Sequence, residues 1–120
     1  MKILLVDDDK SVGIIISRMA NYLGHTVEAT TDGQEAVYRY LAGILGDEEP
    51  FDLVILDLTL MGGVEGINTL HRLRKIDPAV RVIISSGIPG NIPKGFSMVL
   101  LKPYGLSEMK RVLDEIEMNN

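Results

Sequence analysis

The sequence predicts an α/β fold: a doubly wound five-stranded parallel sheet with helices on both faces. Strand-like apolar runs alternate with helix-like amphipathic stretches along the 120-residue chain, the order that builds a parallel sheet through right-handed crossovers. Two runs, Ile3-Leu4-Leu5-Val6 and Leu53-Val54-Ile55-Leu56, end on aspartates, Asp7-Asp8-Asp9 and Asp57. A third, Val99-Leu100-Leu101, ends on Lys102-Pro103. Continuous apolar runs of this length read as buried strands. Functional groups in such sheets collect at the carboxyl ends of the strands.

After the first run, Val12, Ile15, Ile16, Met19, Ala20 and Leu23 share one helical stripe, and Gly24 can stop that helix. Residues 26–30 form a short strand. Asp32 offers a cap for a second helix burying Ala36, Val37, Tyr40, Leu41, Ile44 and Leu45, closed by the acidic turn Gly46-Asp47-Glu48-Glu49-Pro50. The strand ending on Asp57 follows, then a Gly-rich loop and a helix with Ile67, Leu70 and Leu73 inward. Pro78 marks a turn, and Val82-Ile83-Ile84 is a fourth strand ending at Ser85-Ser86-Gly87. The last strand spans residues 98–101. Leu106, Met109, Val112, Leu113 and Ile116 form the stripe of a final helix that starts beyond Gly105. Residues 87–96 hold three glycines and two prolines. An interior proline costs a helix about 3 kcal/mol and a glycine about 1 kcal/mol, so this segment reads as a loop.

The composition fits one globular domain, residues 1–120, with 46% hydrophobic and 24% charged residues. A net charge of −5 gives no reason to expect direct nucleic-acid binding. The absence of cysteine excludes disulfides and thiolate metal sites. No apolar stretch approaches the roughly 20 residues of a membrane span, and no signal-peptide pattern opens the chain, so the expectation is a cytoplasmic domain without membrane insertion.

The strand ends carry the chemistry. Two carboxylates about 5 Å apart repel by roughly 3 kcal/mol at an effective dielectric of about 20. Crowded acids are tolerated when they face water or when a cation binds. Acid-tipped strands beside a lysine-tipped strand suggest a small site for a hard cation and an anion. Asp9 reads as a helix-start acid. His71, among Arg72, Arg74 and Lys75, reads as part of a solvated face, and the scattered methionines read as packing.

Laid out in this way, the chain resembles the receiver domain of two-component response regulators over essentially its full length. The resemblance rests on Leu5-Val6-Asp7-Asp8-Asp9, on residues 52–59 around Asp57, on Val82-Ile83-Ile84-Ser85-Ser86-Gly87 and on Leu101-Lys102-Pro103-Tyr104, in that order. It implies a flavodoxin-like (βα)5 fold with the fourth helix shortened or replaced by a loop. It also implies that Asp57 is the phosphoacceptor, taking a phosphoryl group from a phosphohistidine on a histidine kinase or a histidine phosphotransfer protein. Asp8, Asp57 and the backbone carbonyl of Thr59 would ligate Mg²⁺, with Asp7 holding it through water. Ser86 and Lys102 would contact the phosphoryl oxygens. Such a domain is a phosphoacceptor that promotes its own phosphorylation and slow dephosphorylation rather than an enzyme acting on other substrates.

The chain departs from the family pattern in three places. Ser86 and Lys102 are 16 positions apart, shorter than the family norm by roughly one to two helical turns. The Gly/Pro-rich segment stands where the family has its fourth helix, so output through a helix-based dimer face is not expected and the expected state is a monomer. Val99 replaces the usual aromatic of the family's hydroxyl–aromatic switch. Met61 stands where proline is common, followed by Gly62-Gly63. The competing reading within signalling is a receiver-like interaction module not regulated by phosphorylation. A flavin carrier would need Gly, Ser or Thr donors where Asp7-Asp8-Asp9 would repel phosphate. A haloacid-dehalogenase-type phosphatase would need an aspartate at Thr59. The Ser-Ser-Gly and Lys-Pro-Tyr pieces also resemble receivers attached to hybrid histidine kinases.

Overall fold

A computed structural model describes residues 1–59, 64–87 and 99–119. The expectations for Met61 and Gly62-Gly63, for the segment from residue 88 to 96, and for Met98 lie outside the described residues. In chain order the elements are β1 (Lys2–Val6), α1 (Lys10–Tyr22), β2 (Thr26–Thr30), α2 (Gly33–Ile44), β3 (Leu53–Asp57), α3 (Val64–Ile76), β4 (Val82–Ser86), β5 (Val99–Leu101) and α4 (Leu106–Met118). The five strands form one sheet in the order β2-β1-β3-β4-β5, every pair parallel. The doubly wound fold is therefore observed, with four helices among the described residues.

Side chains alternate across each strand, and the alternation sorts the core into two layers. Ile3, Leu5, Leu53, Ile55, Ile83 and Leu100 pack with Ile16, Ala20, Met109, Val112 and Leu113 of α1 and α4. Leu4, Val6, Val54 and Leu56 pack on the other face with Ala36, Val37 and Tyr40 of α2 and Leu70 and Leu73 of α3. All of these strand residues are essentially inaccessible to solvent. That explains why the runs are continuously apolar rather than alternating.

The caps follow the sequence signals. Asp9 Oδ1 accepts the N–H groups of Ser11 and Val12 at 2.9 and 3.3 Å and starts α1. Asp32 Oδ1 accepts the Gln34 N–H at 2.9 Å and starts α2. Gly24 ends the α1 turn at φ +93°, a conformation that glycine adopts without a Cβ penalty.

Three side-chain assignments from the stripes need correction. Ile15 is 58% exposed. At about 100° per residue, Ile14-Ile15-Ile16 cannot all face the sheet, and Ile16 takes the buried place. In α2, Ile44 and the capping residue Leu45 just beyond it are exposed and Leu41 is half-buried, while Gly43 is buried. A Cβ on Gly43 would lie 2.8 Å from the Pro50 backbone. The returning chain thus covers the Gly43 side of the helix and leaves its last turn in solvent. Leu106 and Ile67 are also only partly covered, each in the first turn of its helix. His71 is exposed, as its charged neighbours suggested.

Candidate functional site

The parallel sheet brings the carboxyl ends of β1, β3, β4 and β5 together at one edge of the domain. Carboxylate oxygens of Asp7, Asp8 and Asp57 lie within 4.8 Å of one another, Asp7 and Asp57 buried and Asp8 exposed. Lys102 Nζ donates to Asp7 Oδ2 at 2.7 Å and to Asp57 Oδ2 at 3.3 Å. Asp7 Oδ1 accepts the Asp9 N–H at 3.0 Å. Ser86 is fully buried at the tip of β4, and its carbonyl accepts the Lys102 N–H at 2.8 Å. Thr59 follows directly, two residues beyond Asp57. All six residues singled out from the sequence, Asp7, Asp8, Asp57, Thr59, Ser86 and Lys102, therefore belong to one locality, although their positions span 96 residues of the chain.

Burial and charge oppose each other at this site. Burial pushes the Asp7 carboxyl above its ordinary value, and the hydrogen bond from Lys102 only partly offsets it. Burial also pulls the Lys102 ammonium down, but its hydrogen bond to Asp7 and the charges of Asp57 and Asp7 outweigh that pull, so it stays firmly protonated. Three carboxylates against one ammonium leave a surplus of two negative charges. A donor set of carboxylate oxygens with that surplus fits a hard dication such as Mg²⁺.

The structure adds contacts that the sequence reading did not name. Thr59 donates both its N–H, at 2.9 Å, and its hydroxyl, at 2.6 Å, to Asp57 Oδ1, so its side chain as well as its backbone bears on Asp57. Gly66 of α3 is pressed against the chain beyond β3. A Cβ there would lie 2.9 Å from Asp57 O, Leu58 Cα and Leu58 O. A lone glycine inside a helical pattern was the available signal for that contact. Leu58 N–H donates to Ser85 O at 3.1 Å, tying the same stretch to β4.

Fold and site together define a class: an α/β domain that gathers acids, a lysine and a hydroxyl at its strand ends. The chain matches the response regulator receiver domain over residues 3–114 and belongs to that family. It is a receiver domain of the kind found in two-component response regulators. It is 36% identical over 115 residues to sporulation initiation phosphotransferase F of Bacillus subtilis, covering 91% of this chain and 87% of that protein. It is 32% identical over 118 residues to transcription factor SKN7 of Chaetomium thermophilum, covering 93% of this chain but only 15% of that protein. The fold matches the response regulator TrrA of Thermotoga maritima, solved in complex with Mg²⁺ and BeF, with a TM-score of 0.81, 20% identity and coverage of 96% and 97% of the two chains. Among the described residues no helix is long and apolar enough to cross a membrane.

Proposed function

We propose that Asp57 is the phosphoacceptor, that Asp7, Asp8, Asp57 and the Thr59 carbonyl hold Mg²⁺, and that Lys102 and Ser86 receive the phosphoryl oxygens. The observation that carries this reading is the placement of Asp57, a buried acid with carboxylate oxygens of Asp7 and Asp8 within 4.8 Å and Lys102 Nζ 3.3 Å away. The donor is a phosphohistidine on a histidine kinase or a histidine phosphotransfer protein. A carboxylate oxygen of Asp57 forms a bond to phosphorus as the bond from phosphorus to the histidine nitrogen breaks. The electron pair leaves with the imidazole, which is then protonated.

Transfer of this kind proceeds through a loose transition state, so the domain contributes position and charge rather than covalent chemistry. Lys102 supplies a point charge to the equatorial oxygens, and Ser86 a short donor. Mg²⁺, when bound, neutralises charge that builds up on those oxygens. The domain thereby promotes its own phosphorylation and slow hydrolysis.

Incubation with acetyl phosphate and Mg²⁺ should add one phosphoryl group by intact mass, and Asp57→Asn should remove that uptake. Uptake by Asp57→Asn at the wild-type rate would refute the assignment.

A further inference from the structure

β2 is an edge of the sheet, with β1 as its only strand neighbour among the described residues. Its last residue, Thr30, nevertheless bears directly on the site. Val6 and Thr30 stand in register, and one step further the Asp7 N–H donates to the Thr30 carbonyl at 3.1 Å. An edge strand lacks a ladder on its outer side, so its tip has to be held from elsewhere.

The hold comes from the first turn of α2. Thr30 is 6% exposed, and its hydroxyl makes two bonds at once. It accepts the Asp32 N–H at 3.2 Å, and it lies 3.1 Å from Glu35 Oε2 and 3.4 Å from the Asp32 carbonyl. A hydroxyl has one proton to donate, and the nearer, charged Glu35 carboxylate is the stronger acceptor. Asp32 is the N-cap of α2 and Glu35 the third residue of the helix. At those positions a glutamate commonly reaches back to the N-cap N–H itself. Here the Thr30 hydroxyl stands between the two and joins the cap to the strand. Glu35 is fixed in turn, because Arg39 Nε and Nη2 donate to its Oε1 at 3.0 and 2.7 Å. Arg39 Nη1 lies 3.8 Å from Glu28 Oε1, and Glu28, two residues before Thr30, shares its face of β2. The start of α2 thus grips β2 at two points, one of them the residue whose carbonyl holds Asp7.

We propose that Thr30 and Glu35 are positioning residues for the Asp7 carboxylate: the Thr30 hydroxyl, held by Glu35, locks the tip of β2, and the Thr30 carbonyl then sets the Asp7 backbone for Mg²⁺ binding. The inference rests on the reading of Asp7, Asp8 and Asp57 as the Mg²⁺ site. Thr30 reaches the ion only through Asp7, whose carboxylate must keep its place among oxygens crowded within 4.8 Å of one another. A merely capping role is separable from this one. Without the hydroxyl, Glu35 can take the Asp32 N–H directly and close the cap, but β2 is no longer joined to it.

The test compares wild type with Thr30→Val, which keeps the shape and removes the hydroxyl, Thr30→Ser, which keeps the hydroxyl, and Glu35→Ala. Mg²⁺ affinity is read from amide shifts in an NMR titration, and exchange of the Asp7 N–H from hydrogen–deuterium exchange of metal-free protein. Phosphoryl uptake from acetyl phosphate is followed over a Mg²⁺ series. Thr30→Val and Glu35→Ala should each weaken Mg²⁺ binding about tenfold, the lower end of what outer-shell partners of metal ligands are worth. The Mg²⁺ concentration for half-maximal uptake should rise by the same factor, while the rate at saturating Mg²⁺ stays within about twofold. The Asp7 N–H should exchange faster in both variants, with the amides of β3 and β4 unchanged. Thr30→Ser should stay within about twofold of wild type in affinity. Thr30→Val should melt within about 5 °C of wild type, since the cap closes without the hydroxyl. Wild-type Mg²⁺ affinity in both Thr30→Val and Glu35→Ala, equal losses in Thr30→Ser and Thr30→Val, or faster exchange spread evenly over the sheet would each overturn the proposal. Should Thr30→Val fail to fold, Glu35→Ala, which leaves the buried position intact, decides by the same criteria. Wild-type amides at Asp7, Asp8 and Asp57 that ignore Mg²⁺ would refute the metal reading and this inference with it, whereas normal wild-type binding unmoved by the variants refutes the inference alone.

Discussion

Replacing Lys102 with methionine keeps most of the side-chain volume and removes the one ammonium seen against two buried carboxylates. The Asp7 and Asp57 side chains are 1% and 2% exposed, and that of Lys102 is 22% exposed. Removing one partner of a buried pair typically costs about 3–5 kcal/mol, because the remaining charge is left uncompensated. Partial solvation of Lys102 places the expectation at the lower end, about 3 kcal/mol near pH 7, or a fall of roughly 10 °C in Tm for a domain of this size.

The penalty depends on pH. Burial already raises the Asp7 carboxyl above its ordinary 3.8, and loss of Lys102 raises it further. A carboxyl raised in the folded state contributes stability that is full below the unfolded value and is lost as pH rises through the folded value. The variant's deficit should therefore shrink at about pH 5 and be largest at about pH 8. Mg²⁺ should return part of it by neutralising the same pair. Urea unfolding followed by circular dichroism, at both pH values and with or without Mg²⁺, measures each quantity. A loss below about 1 kcal/mol, or one that does not diminish on acidification, would show that the ammonium does not compensate these acids.

Mg²⁺ should stabilise the wild-type domain by mass action, about 1.4 kcal/mol at ten times its Kd. Asp8→Ala should abolish both that effect and Mg²⁺-dependent phosphorylation, while raising stability without metal by about 0.5–1 kcal/mol as an exposed like charge is removed; thermal melts over a Mg²⁺ series read both. Gly66→Ala should cost about 1–3 kcal/mol and slow phosphorylation, because the new methyl meets backbone at Asp57 and Leu58 that cannot rotate away; wild-type stability and rate would mean that α3 shifts freely. The buried imidazole of His25 lies 2.9 Å from the Met1 amino group, and burial followed by that charge lowers its pKa from the ordinary 6.5. Its contribution to stability is thus full above the unfolded value and lost as pH falls through the folded one, so His25→Leu should flatten the decline of stability from about pH 6.5 to 5.

The site was legible in the sequence for a specific reason. Parallel α/β sheets put functional groups at strand ends, and strand ends can be found where an apolar run stops. Asp7, Asp8, Asp57, Ser86 and Lys102 could therefore be named before any contact between them was known. Asp9 could be separated from them because an acid ahead of an amphipathic stretch caps a helix, and it caps α1. The helical stripes were less legible. Periodicity states which residues share a side, not how wide the cover over that side is, so Ile15, Ile44 and Leu45 were assigned inward and lie exposed.

The sequence by itself determined the class of fold, the strand termini and the acid, lysine and hydroxyl set, because these follow from local hydrophobic period and residue type. Only the tertiary structure decided which atoms meet. That Lys102 favours Asp7 over Asp57, that the Thr59 hydroxyl occupies Asp57 Oδ1, that Gly66 abuts the Asp57 and Leu58 backbone and that Ser85 and Tyr104 bury their hydroxyls all depend on strand register and on helix packing against the sheet. Register across parallel strands is set by crossovers that join distant parts of the chain, so no local pattern encodes it.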